Sequence, residues 1–221
     1  MSDQTIEIET TEKPTAAVIW LHGLGADGND FVPVIPELHL PNDLGIRFIF
    51  PNAPHQPVSC NGGYVMRSWY DIYSLDDFDK EDKVGLTHSQ QIVEALIQNE
   101  INRGINTNRI ILMGFSQGGA VVLHTGLRHS QRLAGIGALS TYLPLREDVT
   151  AERQKANADV PIFMAHGLHD PVVRYEYGDN SSKLLLQLGY SVSWHSYPIE
   201  HTVSMEEIDD ISTWMQLVLS H

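Results

Sequence analysis

The sequence predicts an α/β fold: a mainly parallel sheet with helices on both of its faces. Apolar, β-branched runs of strand length recur along the chain, and segments with helical periodicity fall between them. Strands alternating with helices are joined by crossovers, which make neighbouring strands parallel and cover the sheet twice. A further observation sets the domain count. The 221 residues are 42% hydrophobic, with no internal repeat and no low-complexity stretch. That suits a single domain over 1–221.

The elements follow in chain order. Thr5–Glu9 alternates and reads as an edge strand. Ala16–Leu21, Arg47–Phe50, Arg109–Met113, Gly135–Leu139 and Pro161–Ala165 read as buried strands, and Val192–Tyr197 as an amphipathic sixth. A helix over Thr87–Arg103 puts Ile92, Val93, Leu96, Ile97 and Ile101 on one face; Thr87 and Gln90 have capping-box spacing, and Gly104 is a suitable stop. A second capping box, Ser204 to Glu207, opens a last helix with Ile208, Ile211, Met215 and Leu219 inward. An aromatic-rich insertion at about 52–85 breaks the rhythm, with no long element but with Tyr64, Trp69, Tyr70, Tyr73 and Phe78. This many aromatics argue against disorder. Two readings stay open: a surface lobe packed by its own aromatics, or a wall of an apolar binding groove. The stretch between Leu139 and Pro161 is too short for a large cap domain.

The formal charge of −14 would repel phosphate backbones and anionic bilayers, so nucleic acid is a poor partner. The first residues show neither a basic nor an apolar targeting region, and no run reaches the ~18 apolar residues of a membrane span. One cysteine, Cys60, excludes an internal disulfide. Together these features predict a cytoplasmic location. Cys60 lies in no nucleophile motif.

Two glycine-rich motifs each follow a predicted strand. Gly23-Leu24-Gly25-Ala26-Asp27-Gly28 has the spacing of a dinucleotide loop, and an NAD or flavin enzyme is one reading. Gly114-Phe115-Ser116-Gln117-Gly118 stands between a strand and a helix-like run. A tight turn there forces the serine into a strained backbone and lifts its hydroxyl clear of the sheet, while the helix start behind it offers unpaired N–H groups to a developing negative charge. Such a serine needs an acid and then a base later in the chain. Asp170 falls in the loop after Pro161–Ala165, and His201 falls between the sixth strand and the last helix. All three would meet at the carboxyl edge of the sheet, where ligands bind in open α/β folds. His166-x-x-His169-Asp170 suggests metal ligands, but no partner motif accompanies it, and no metal is expected. His166 reads instead as a packed, hydrogen-bonded histidine, and His195, inside a strand, as a weaker base than His201.

The serine motif reinterprets the first one. A dinucleotide loop wants a helix directly after its glycines and an acid about 20 residues on. Here Pro33 and Pro36 interrupt, and the next strand runs into Pro51-Asn52-Ala53-Pro54. A serine elbow needs a second loop that donates a backbone N–H to an oxyanion, and the segment after Ala16–Leu21 suits it. The expected donors are the N–H groups of Leu24 and Gln117.

The motifs LHGLGADGNDF, RSWYDI, GFSQGGA, HGLHDPVV and EHTVSMEEI, in this order from about Ala16 to the C-terminus, resemble the acyl-protein thioesterase/carboxylesterase family of α/β-hydrolases. The resemblance implies a Ser116–Asp170–His201 triad and an oxyanion hole at Leu24 and Gln117. It implies hydrolysis of carboxylic esters and fatty-acyl thioesters; a lipidated protein, a lysolipid and a small ester stay open as the substrate. It also implies no cofactor, cytosolic residence and a possible homodimer. Trp69 and Tyr70 would lie beside the acyl-binding cleft, with Leu168, inside HGLHDPVV, as a further substrate-binding candidate. The alternatives are a non-catalytic, hydrolase-like binding protein, against which the intact triad order argues, and the oxidoreductase.

Overall fold

The computed structural model describes residues 5–41, 43–74 and 80–220. Among these residues nine strands and six α-helices appear in chain order: β1 Ile6–Glu9, β2 Ala16–Leu21, α1 Val34–Glu37, β3 Ile46–Phe50, β4 His55–Val58, β5 Tyr64–Arg67, α2 Lys83–Asn102, β6 Ile110–Phe115, α3 Gln117–Arg128, β7 Gly135–Leu139, α4 Val149–Glu152, β8 Pro161–Gly167, α5 Tyr175–Gln187, β9 Ser191–Tyr197 and α6 Met205–Leu219. Seven strands form one sheet in the order β1-β3-β2-β6-β7-β8-β9. Only edge strand β1 is antiparallel to its neighbour, and the other pairings are parallel.

Period two along β2 explains the layers. Ala17, Ile19 and Leu21 join a core with Val93 and Ile97 of α2 and Leu123 of α3, while Val18 and Trp20 join a second core with Ile208, Ile211 and Met215 of α6. Both faces are covered, so all six β2 residues are buried and the strand reads as a continuous apolar run. Between β7 and β8 stand only short elements, and among the described residues no large cap covers the sheet.

Three expectations change. Helix α2 starts one turn before Thr87: Asp82 is the cap, its carboxylate accepting from the Gly85 N–H at 2.9 Å, while the Thr87 hydroxyl donates to the Lys83 carbonyl at 2.7 Å. Gly85, a poor helix former, hides that first turn. The capping box at Ser204 is only half made. Ser204 Oγ accepts from the Glu207 N–H at 3.1 Å, but both Glu207 carboxyl oxygens are buried without a partner among the described residues. The aromatic insertion holds a small hairpin, β4–β5, and divides its aromatics. Trp69 and Tyr70 are buried in the main core, whereas Tyr64 and Tyr73 are exposed; Phe78 lies outside the described residues.

Candidate active site

Strand β6 ends at Phe115, and Ser116 turns the chain into α3 with φ 53° and ψ −120°. A non-glycine residue in that region costs about 1–3 kcal/mol and persists only where its surroundings dictate it. Here they do: the Ser116 N–H donates to the Leu139 carbonyl at 2.8 Å, and its own carbonyl accepts from the Ala120 N–H at 3.1 Å and the Thr141 hydroxyl at 2.7 Å. Helix α3 also packs hard on the end of β2. A Cβ at position 118 would stand 2.5 Å from the Leu21 carbonyl oxygen and 2.6 Å from that of His22, so only glycine fits. This approach sets the Gly23–Leu24 loop beside the serine.

His201 Nε2 lies 3.0 Å from Ser116 Oγ, and His201 Nδ1 lies 2.6 Å from Asp170 Oδ2. An ionised carboxylate only accepts, so Nδ1 carries the proton and bare Nε2 accepts from the serine hydroxyl. The other Asp170 oxygen accepts from the Val172 and Val173 N–H groups, each at 2.8 Å. Burial pushes the Asp170 carboxyl up, but the His201 hydrogen bond, the His201 charge and the two backbone N–H groups outweigh it and leave the group below its ordinary range. The acid is therefore ionised at neutral pH.

Gly23, Leu24, Ser116, Gln117 and His201 share one cleft of about 280 Å³, walled by Tyr70, Ile72, Phe115, Tyr142 and Val173. The Tyr70 and Tyr142 hydroxyls lie 2.8 Å apart within the wall. Of the substrate-binding candidates, Tyr70 lines the cleft. Trp69 does not; it is fully buried behind it, its indole N–H donating to the His22 carbonyl at 2.9 Å. Leu168 is 45% exposed and stands outside the cleft wall. His195 pairs with Asp210 at 3.2 Å, and His166 is buried at the end of β8. Among the described residues no cluster of His, Cys, Asp or Glu could hold a metal ion.

Two supporting side chains escape a reading of the sequence. Gln117 was expected to act through its backbone; its side chain also accepts from the Trp69 N–H at 2.9 Å and donates to Ser68 Oγ at 2.9 Å and the Tyr70 carbonyl at 2.7 Å. His22 Nε2 accepts from the Ala53 N–H at 3.0 Å, so its Nδ1–H donates to the Gly23 carbonyl at 2.7 Å. Burial lowers the His22 pKa and keeps the ring neutral. One signal for His22 was available: a histidine closing an apolar strand is a buried polar group that needs partners. The Gly23–Gly28 loop shows no dinucleotide cradle. Its first helix, α1, waits until Val34, and Asn52 Oδ1 closes the loop by accepting from the Gly28 N–H at 2.8 Å.

A mainly parallel sheet with a serine on a strand-to-helix elbow, backed by a histidine and an aspartate, is an α/β-hydrolase. A family model described as Phospholipase/Carboxylesterase matches residues 3–219, and the chain belongs to that family. Among curated relatives, acyl-protein thioesterase 1 of Yarrowia lipolytica is 39% identical over 216 residues, covering 96% of this chain and 95% of that protein. Acyl-protein thioesterase 1 of Mycosarcoma maydis is 41% identical over 223 residues, covering 94% and 92%. Among solved structures, Zea mays acyl-protein thioesterase 2 superposes with a TM-score of 0.87 at 27% identity, covering 99% of this chain and 100% of that one. Arabidopsis thaliana SOBER1 gives 0.86 at 29% identity, covering 92% and 99%.

Proposed function

We propose that this protein is a serine hydrolase of fatty-acyl thioesters and carboxylic esters, acting through a Ser116–His201–Asp170 triad and an acyl-enzyme. The observation that carries the proposal is the unbroken hydrogen-bonded chain from Ser116 Oγ through His201 to Asp170, opening on an apolar cleft. Ser116 Oγ attacks the acyl carbonyl, and His201 Nε2 takes its proton and passes it to the leaving thiol or alcohol. Asp170 holds the imidazole in the needed tautomer and stabilises the imidazolium. The N–H groups of Leu24 and Gln117 receive the oxyanion. Water, activated by His201, then releases the acid. The cleft wall takes the acyl chain, and the relatives named acyl-protein thioesterase favour a lipidated protein over a lysolipid as the natural substrate. The free Cys60 and the acidic composition suit a cytoplasmic setting. No described helix is long and apolar enough to cross a membrane.

The test is intact-mass spectrometry after incubation with a fluorophosphonate. One adduct, mapped to Ser116 and lost in His201→Ala, is the expected result. A folded protein that takes no adduct would refute the proposal.

A further inference from the structure

We propose that His166, with its proton on Nε2, is a positioning residue that holds the Asp170 turn in place and so aims the Asp170 carboxylate at His201. The inference rests on the triad reading above. His166 stands near the carboxyl end of β8, and its side chain has no solvent exposure. Its Nε2 lies 2.7 Å from the Val173 carbonyl oxygen. A carbonyl only accepts, so Nε2 bears the hydrogen. Val173 is thereby gripped twice: its carbonyl by His166, and its N–H by Asp170 Oδ1 at 2.8 Å. The same Nε2 is 3.5 Å from Asp170 Oδ2, the oxygen that accepts the hydrogen bond from His201 Nδ1–H. His166 therefore touches both ends of the turn that presents the acid.

Packing alone does not explain a histidine here. The ring lies between Tyr175, edge-on at 6.1 Å, and Trp194 at 6.3 Å, and its Nδ1 has no partner among the described residues. A phenylalanine would fill an aromatic slot without leaving that nitrogen unpaired. What the imidazole alone supplies is the Nε2–H donor. Charge matters as well. The charged or titratable groups facing the ring are Asp170, His201 and Glu176, with the Tyr175 phenol beside it. Burial lowers the His166 pKa, so the ring stays neutral and does not compete with His201 as a cation for the Asp170 carboxylate.

The experiment compares wild type, His166→Phe and His166→Gln on p-nitrophenyl butyrate, with fluorophosphonate titration counting active sites. His166→Phe keeps the ring and loses the donor. We expect kcat per titrated site to fall roughly 2–12-fold, the size of one hydrogen bond to a neutral carbonyl, with KM within about twofold. The acid limb of kcat/KM should move to lower pH, because a misaimed carboxylate stabilises the His201 imidazolium less. His166→Gln, whose amide N–H can take the place of Nε2–H, should recover most of the rate. An unchanged kcat per site and acid limb in His166→Phe, or a loss that only follows the number of titratable sites, would overturn the inference. The assigned ¹⁵N signals of the wild-type His166 ring test it even if the variants fail to fold: a His166 protonated on Nε2 alone supports the inference, and an Nδ1–H form or an imidazolium at His166 rejects it. Failure of wild type to take the fluorophosphonate rejects the triad reading itself, a separate result.

Discussion

Glu207→Gln should make the protein more stable in alkali while leaving it unchanged in acid. Glu207 stands in the first turn of α6 with no solvent exposure, and neither carboxyl oxygen has a partner among the described residues. Burial, with the nearby Asp210 charge adding to it, raises its pKa to about 8 against the Ser204 contact that lowers it. The folded state therefore holds this proton more tightly than the unfolded chain. Its contribution is full below the unfolded value near 4.5, fades as pH rises and is lost above about 8. At 1.36 kcal/mol per pH unit the whole loss is about 5 kcal/mol, of which about 3 fall between pH 5.5 and pH 9. Urea unfolding of both proteins across that range provides the assay. The difference isolates Glu207, because the buried histidines and the lowered carboxyls are common to both. A gain for Glu207→Gln that rises by about 3 kcal/mol from pH 5.5 to pH 9 is the expected outcome. A difference flat to within about 0.5 kcal/mol would mean that the carboxyl ionises normally, and the argument from its burial would fail.

Other perturbations address the site. Ser116→Ala should fold normally and lose at least ~10³-fold in kcat on an ester substrate; near-normal turnover would sink the triad assignment. Gln117→Ala removes three hydrogen bonds to the 68–70 segment and should lower stability by about 2–4 kcal/mol in urea unfolding, while raising KM as the cleft wall loosens. Each methylene added to the acyl chain should raise kcat/KM by about fourfold until the cleft is filled, since a buried methylene is worth about 0.8 kcal/mol. A p-nitrophenyl ester series from two to sixteen carbons measures this, and a sharp optimum at two to four carbons would contradict a lipid substrate.

Strands of the main sheet were legible because both faces are covered, which turns each central strand into an apolar run such as Ala16–Leu21. The turn at Ser116 was legible because its chemistry demands small residues at fixed offsets. What escaped depends on side-chain partners at long sequence separation. Spacing cannot distinguish Trp69, an indole anchored on His22, from Tyr70, which faces the cleft one residue later. Helix α5 escaped for another reason. Its buried positions, Gly178, Ser181, Ser182 and Leu185, have helical spacing, but three of the four are not apolar, so no amphipathic stripe appears. The Glu207 cap was misread because the pattern matches a capping box while burial turns the carboxyl inward.

The supporting hydrogen bonds join the Gly23–Leu24 loop, the start of α3 and the aromatic insertion into one connected set of contacts. Gln117 ties the start of α3 to Ser68, Trp69 and Tyr70; the Trp69 indole ties that segment to the His22 carbonyl; and the His22 ring ties the Gly23 carbonyl to the Ala53 N–H. The Ser89 hydroxyl closes the arrangement by donating to the Trp69 carbonyl. Both proposed oxyanion donors, Leu24 and Gln117, and one wall of the acyl cleft are therefore held by a single buried network. In a low-dielectric interior such a network is worth most when fully satisfied, and losing one member leaves others unpaired. Fixed donors need not reorganise as charge develops on the oxyanion, which is the condition for electrostatic catalysis. The insertion, by this argument, does more than cover the sheet: it fixes the loop that would receive the charge. A variant that breaks the Trp69 link, such as Trp69→Phe, should lose rate through kcat as well as through substrate binding.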